Sequence, residues 1–220
     1  MCANYRPVER GLLESRFFVP APDSDFPPEA FPGYMAPFIR PPHADSSLGD
    51  RSCALGMFGL VPHWAKDETI ARNTYNARTE TVADKPSFRN AFRRGQFCII
   101  PVTSIYEPCY ETGKAVRWEI AAADGAPLGL AGIWEHKQHG PNGLPLLSFS
   151  MLTINADDHP LMKRMHKPDD EKRMVVILDP DRYDDWLHCP PEDAPDFFAQ
   201  YPAEKLAGKP APKGAKQGGQ

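Results

Sequence analysis

Phe97-Cys98-Ile99-Ile100-Pro101-Val102 is the run on which the fold turns. So short an apolar segment predicts a buried strand, and it leads straight into Tyr106-Glu107-Pro108. Downstream, Arg117-Trp118-Glu119-Ile120 alternates as a half-exposed strand does, and Asp124-Gly125 is a turn signal joining it to the next strand, Leu128 to Trp134. Leu147 to Ile154 and Met174 to Leu178 are two more. Upstream, Cys53 to Val61 is a buried strand whose glycines admit close neighbours, and it runs into Pro62-His63-Trp64. Tyr34 to Ile39 is an edge strand, because the prolines between Pro20 and Pro42 exclude a long helix or a central strand. Helical signals are brief: Pro7 to Phe18, turns over 76–94 around Pro86, a turn at His159 to His166, and Asp181 to Leu187 and Glu192 to Ala199 near the end. Strands and short helices out of strict β-α-β alternation predict an α+β fold, a mixed or antiparallel barrel-like sheet core with short flanking helices. Residues 1–201 form one domain, and the Lys-, Gly- and Pro-rich residues 202–220 are expected to be a disordered tail.

With 220 residues, 41% hydrophobic and 25% charged, the chain has the composition of a soluble globular domain. No apolar run approaches the roughly 18 residues of a membrane span. Arg6, Glu9 and Arg10 interrupt the N-terminus before any signal-peptide core, so a cytoplasmic protein is expected. Five scattered cysteines fit a reducing compartment. His136-x-x-His139 and the pair His159 and His166 lack companion ligands, so no metal and no cofactor are expected. The glycine-rich nucleotide loops, the Gly-x-Ser-x-Gly elbow and His-Glu-x-x-His are all missing, which removes the commonest enzyme classes. The net charge is −4, yet 72–94 carries six bases against two acids, and 179–196 seven acids against one base. That segregation predicts one positive face, although a solvated helix face would produce the same run.

Four places are chemically loaded. Cys2 follows the initiator methionine, so an aminopeptidase or the protein itself can expose it as the mature N-terminus. Its thiol and α-amine, with reference pKa values of about 8.5 and about 7.7–8.0, would then converge on one electrophile. With an aldehyde, the amine forms an imine and the thiol closes a thiazolidine ring. Asn76-Ala77-Arg78-Thr79-Glu80-Thr81 sets an amide and a guanidinium at the mouth of a helix. Glu107 ends a buried strand, where a carboxylate is placed for proton transfer. His166 stands among Lys163, Arg164 and Lys167 just before another strand. Each has a plainer reading alone: Cys2 as the start of a strand, Asn76 as a helix cap, Glu107 in a salt bridge, His166 on the surface.

Together these residues carry a resemblance. Met1-Cys2, Gly59 to Trp64, Asn76 to Thr81, Ser87-Phe88-Arg89, the Cys98 to Glu107 strand, Thr153, and His166 with Arg173-Met174 resemble the SOS-response-associated peptidase (SRAP) family of abasic-site processing proteins, over nearly the whole chain to Leu187. The resemblance implies a monomer that binds single-stranded DNA, or junctions of single and double strand, and reacts covalently with abasic sites. It makes Cys2 the thiazolidine-forming residue after removal of Met1, Asn76 its holder, Glu107 the general acid and base, and His166 a proton-transfer partner. Strand cleavage by β-elimination is implied as a side activity. DNA contacts would come from Arg78 and Arg89 on phosphates, Trp64 as a stacking face, and Thr153 and Arg173.

Three stretches depart from the family pattern. Asn4-Tyr5 replaces a common Gly-Arg-Phe opening, with Arg6 as the nearest base to compensate. Pro108 stands where tryptophan is common, and 167–172 is longer and more acidic than usual. Two other classes stay open at this level: a non-covalent single-strand binder, and an N-terminal-nucleophile peptidase acting on other proteins.

Overall fold

The computed structural model describes residues 2–42, 51–140 and 143–213, so part of the expected tail (214–220) lies outside the described residues. In chain order its elements are β1 (Tyr5–Pro7), α1 (Arg10–Phe17), β2 (Met35–Arg40), β3 (Ser52–Phe58), β4 (Asn76–Arg78) and α2 (Arg89–Arg93). There follow β5 (Phe97–Cys109), β6 (Val116–Ala122), β7 (Leu128–Lys137), β8 (Leu146–Asn155), β9 (Arg173–Val175), β10 (Ile177–Leu178), α3 (Tyr183–His188) and β11 (Leu206–Pro210). Among the described residues no helix is long and apolar enough to cross a membrane.

Five strands close on themselves. The order β7-β8-β3-β2-β5 returns from β5 to β7, antiparallel except for the parallel β3–β8 contact at Met57↔Ser148 and Phe58↔Phe149. Closure leaves this core without a free edge and matches the expected barrel-like α+β fold. Phe38, Phe58 and Phe149 fill it with ring centroids 5.3 and 5.7 Å apart. Gly59 follows β3 at φ +114°, where a Cβ would sit 2.3 Å from the Ala71 carbonyl oxygen. The chain can leave the barrel there only as glycine.

β5 does two jobs along its 13 residues. Phe97 to Val102 pairs with β7 inside the barrel, whereas Ile105 to Pro108 leaves it and pairs with β6. β1 lies antiparallel along this second half, Tyr5 opposite Ile105. The start of the chain is thereby set beside Glu107.

Several local expectations change. β2 is an internal strand, not an edge; its ladder to β5 is registered at Ile39↔Ile99, away from Pro37, so the missing N–H does little harm. Asn76 caps no helix: Asn76–Arg78 is a strand paired in parallel with Met151 to Thr153, and the helix over 76–94 shrinks to Arg89–Arg93. Pairing with a strand distant in sequence overrides the local helix signal. The segment after residue 201 is ordered at its start, since Leu206–Pro210 pairs antiparallel with Trp118 to Ala122. Backbone hydrogen bonding to the open edge of β6 orders a segment whose one buried apolar residue is Leu206. Over Glu192 to Ala199 the structure forms a 3-10 turn, Ala194–Phe197.

The acidic C-terminal region is anchored by Trp186, with Tyr183, Leu187 and Phe197 buried around it. Trp186 is 0% exposed, stacks on Phe97 with centroids 4.4 Å apart, and donates from Nε1 to the Cys98 carbonyl at 2.9 Å. Replacing Trp186 with alanine should cost about 3–5 kcal/mol of unfolding free energy, measured by urea denaturation. A loss below about 1 kcal/mol would show that α3 does not hold the barrel wall.

Candidate active site

The chain's first described residue is also among its most deeply buried. Cys2 is 1% exposed, and its thiol donates to the Asn4 carbonyl at 3.4 Å. Its own carbonyl accepts a hydrogen bond from Asn76 Nδ2 at 2.9 Å. The sheet explains that contact, because β4 holds Asn76 against Met151 of β8.

Glu107 is close enough for its charge to act on the Cys2 thiol, and His166 pairs with Glu107. Both are buried, and His166 Nε2 is 2.9 Å from Glu107 Oε2. His166 takes φ +63°, in the left-handed region, and its N–H donates to the Pro108 carbonyl at 2.7 Å. A non-glycine residue held so, tied to the neighbour of its own carboxylate partner, is typical of a site whose geometry is imposed from outside the residue. Burial, and then the charge of Glu107, push the Cys2 thiol up to about 12. The thiol is therefore kept as a neutral S–H near pH 7, with a carboxylate in electrostatic reach. Tyr75, half-buried, belongs to the same group: burial raises its hydroxyl pKa first, then the charges of Glu107 and Cys2. Nothing in the sequence distinguished Tyr75 from a core aromatic, for its only signal was adjacency to Asn76.

The four residues expected to be catalytic thus converge, and the expected DNA contacts divide. Arg78 is half exposed and follows Asn76 by two residues, on the same side of β4. Trp64 is 48% exposed, and its Nε1 donates to the Pro86 carbonyl at 3.3 Å, in the turn that leads into the exposed Arg89 at the start of α2. Arg173 and Thr153 do not belong on that face. Arg173 is 2% exposed, paired bidentately with Glu80 at 2.7 and 2.9 Å, and bonded to Glu171 at 2.8 Å and to the Thr153 carbonyl at 2.7 Å. A guanidinium so enclosed orients acids and has no fork left for a phosphate.

The acidic insertion has a location. Its Glu171 bridges Arg173 and Arg78, the latter at 2.7 Å. The hydrogen bond from Arg173 holds the Glu171 carboxyl below the usual range, and that of Glu80 likewise. At the N-terminus Arg6 lies 3.9 Å from Glu119, and the guanidinium on Asn4 is that of Arg117, at 2.8 Å from Oδ1.

Known proteins share this arrangement of the chain. A family model described as SOS response associated peptidase (SRAP) matches residues 14–214, a span that includes Asn76, Glu107 and His166. The abasic site processing protein YoaM of Bacillus subtilis is 35% identical over 142 residues, covering 64% of this chain and 58% of that protein. The abasic site processing protein HMCES of Gallus gallus is 24% identical over 191 residues, covering 76% of this chain and 54% of that protein. The chain thus spans a little under three fifths of the length of these curated relatives. A crystal structure of a Bordetella bronchiseptica protein superimposes with a TM-score of 0.86 at 39% identity, covering 96% of this chain and 99% of that one. One from Bacteroides thetaiotaomicron shares the fold, with a TM-score of 0.76 at 20% identity over 94% of this chain and 90% of its own. The extent of the family match shows that the chain belongs to the SOS response associated peptidase (SRAP) family.

Proposed function

We propose that this protein processes abasic sites in single-stranded DNA, joining itself to the open-chain sugar aldehyde through Cys2 once Met1 is gone. One observation carries the reading: Asn76 Nδ2 grips the Cys2 carbonyl at 2.9 Å while Glu107, paired with His166, lies within electrostatic reach of the thiol. A structural cysteine needs no such holder. The names of the Bacillus and vertebrate relatives, abasic site processing proteins, point to the same substrate.

The chemistry follows from the groups present. Water activated by Glu107 hydrolyses the Met1–Cys2 bond and frees the amine. The amine adds to the aldehyde carbon, and the carbinolamine loses one water to give an imine. The thiol then adds to the imine carbon and its proton passes to the nitrogen, closing a five-membered ring with one water lost overall. A thiol pushed up to about 12 cannot ionise unaided, so Glu107 takes its proton as sulfur attacks, and His166 shares it. If closure is delayed, the imine favours loss of a sugar C2 proton and departure of the 3′ phosphate, which is the lyase side reaction.

The strand would run over Trp64, Arg78 and Arg89, its bases stacking on the indole and its phosphates on the guanidinium forks. Glu171 must leave Arg78 for that contact to form. Cytoplasmic DNA, including junctions of single and double strand, is the expected partner, met by a single chain using only its own side chains.

Incubating the Met1-free protein with single-stranded DNA carrying one abasic site should yield a slow band on a denaturing gel, lost in Cys2→Ala. A wild type that leaves no such band would end the proposal. Glu107→Gln should form the adduct about a hundredfold more slowly or worse. Its affinity for DNA bearing an unreactive tetrahydrofuran abasic analogue should stay near that of wild type. Adduct formation at the wild-type rate in Glu107→Gln would remove that carboxylate from the mechanism.

A further inference from the structure

Beside the Cys2 site a cavity of about 320 Å³ opens between β5, β6 and the last described residues. Its lining includes Glu107 itself, with Asn4, Phe31, Tyr106, Arg117 and Lys213. Arg117 rises from β6 directly opposite Pro108, and its guanidinium lies over the Tyr106 ring, 3.3 Å from the centroid. Nη2 donates to Asn4 Oδ1 at 2.8 Å and to Glu29 Oε1, and Nη1 donates to the Ala211 carbonyl at 3.2 Å. Lys213 Nζ sits over the Phe31 ring at 4.4 Å and lies 4.0 Å from the same Glu29 oxygen.

Two cations from distant parts of the chain therefore focus on one anionic oxygen, and each rests on an aromatic face. Partly exposed ion pairs of this kind stabilise a fold little. The same set of groups suits a phosphate whose neighbouring base or sugar needs a ring to lie against. Asn4 has no charge of its own, yet its side chain orients Arg117: Oδ1 accepts from the guanidinium while Nδ2 donates to the Ala30 carbonyl at 3.2 Å.

We propose that this cavity is a phosphate subsite for the nucleotide next to the abasic sugar. Arg117 is its principal ligand, Lys213 the second, and Glu29 the internal anion that fills it until DNA arrives. The inference rests on the DNA reading of the Cys2 site. It gives the ordered C-terminal segment a part in substrate binding.

The test is a cycle between protein and DNA, read by fluorescence anisotropy on a single-stranded oligonucleotide with a tetrahydrofuran abasic analogue. That analogue forms no imine, so covalent chemistry does not enter. In companion oligonucleotides a neutral methylphosphonate replaces the linkage on one side of the analogue or the other. Wild type should lose roughly tenfold in affinity when one of these two linkages is neutralised. Arg117→Gln should lose about as much on the unmodified strand, lose nothing further on the neutral one, and show a salt slope smaller by about 1. Glu29→Gln breaks the same ion pair yet should bind several-fold more tightly, by mass action on a vacated site. A pair that only pins the fold predicts that both variants weaken together. Equal sensitivity of wild type and Arg117→Gln to both neutral linkages, or weaker binding by Glu29→Gln, would overturn the subsite while leaving the DNA reading standing. Failure of wild type to bind any of these strands would overturn both.

Discussion

The structure depends on β5 serving two pairings at once. Its first half closes the barrel against β7, and its second half leaves the barrel to pair with β6 and β1. Glu107 lies on the part that has left, where the barrel's packing holds the backbone but no longer covers the strand on all sides. Because β1 uses the same segment, the chain start reaches Glu107 without a long loop, and Tyr5 anchors it with its ring edge on Phe58 at 5.1 Å. Asn76 arrives from β4 on the far strand, β8. The chain start and Glu107 meet because β5 is shared, and Asn76 joins them through its pairing with β8.

Burial sets the electrostatics of the meeting. Burial, and then the neighbouring charge of Glu107, keep the Cys2 thiol protonated near pH 7. Outside this buried centre the charges are arranged differently. Arg173 is buried only because Glu80 and Glu171 enclose it, and removing either acid would strand a positive charge. Glu171 on Arg78 and Glu29 on Arg117 follow one pattern, a carboxylate of the chain resting on a guanidinium near the site. Such pairs weaken with salt, and so would the DNA contacts that replace them.

Much of this was legible in the residues. Phe97 to Val102, the alternation at Arg117 to Ile120 and the Asp124-Gly125 turn carry period and turn chemistry that survive any tertiary context, and the strands formed where expected. Asn76 was misread because its neighbours favour a helix, while the partner that makes it a strand, Met151, lies far along the chain. Leu206–Pro210 was missed because its order comes mainly from the edge of β6, with Leu206 as its one buried apolar side chain. Arg173 was expected to contact DNA, since nothing in a sequence shows that two acids will wrap an arginine. Arg117 drew no notice for a related reason: on an alternating strand it is one more outward charge until Tyr106 and Asn4 are seen beneath it. The Cys2 group was recognisable as a constellation, although no single member of it was.

The central claim is that both nucleophiles of Cys2 end up on one sugar carbon. Mass spectrometry of the N-terminal peptide, cut from a crosslink made with abasic single-stranded DNA, tests it most directly. The account predicts a peptide that begins at Cys2 without Met1 and carries the sugar with one water lost. Neither its thiol nor its amine should accept an alkylating reagent. A sugar-bearing peptide that keeps Met1, or whose Cys2 thiol still alkylates, would contradict it.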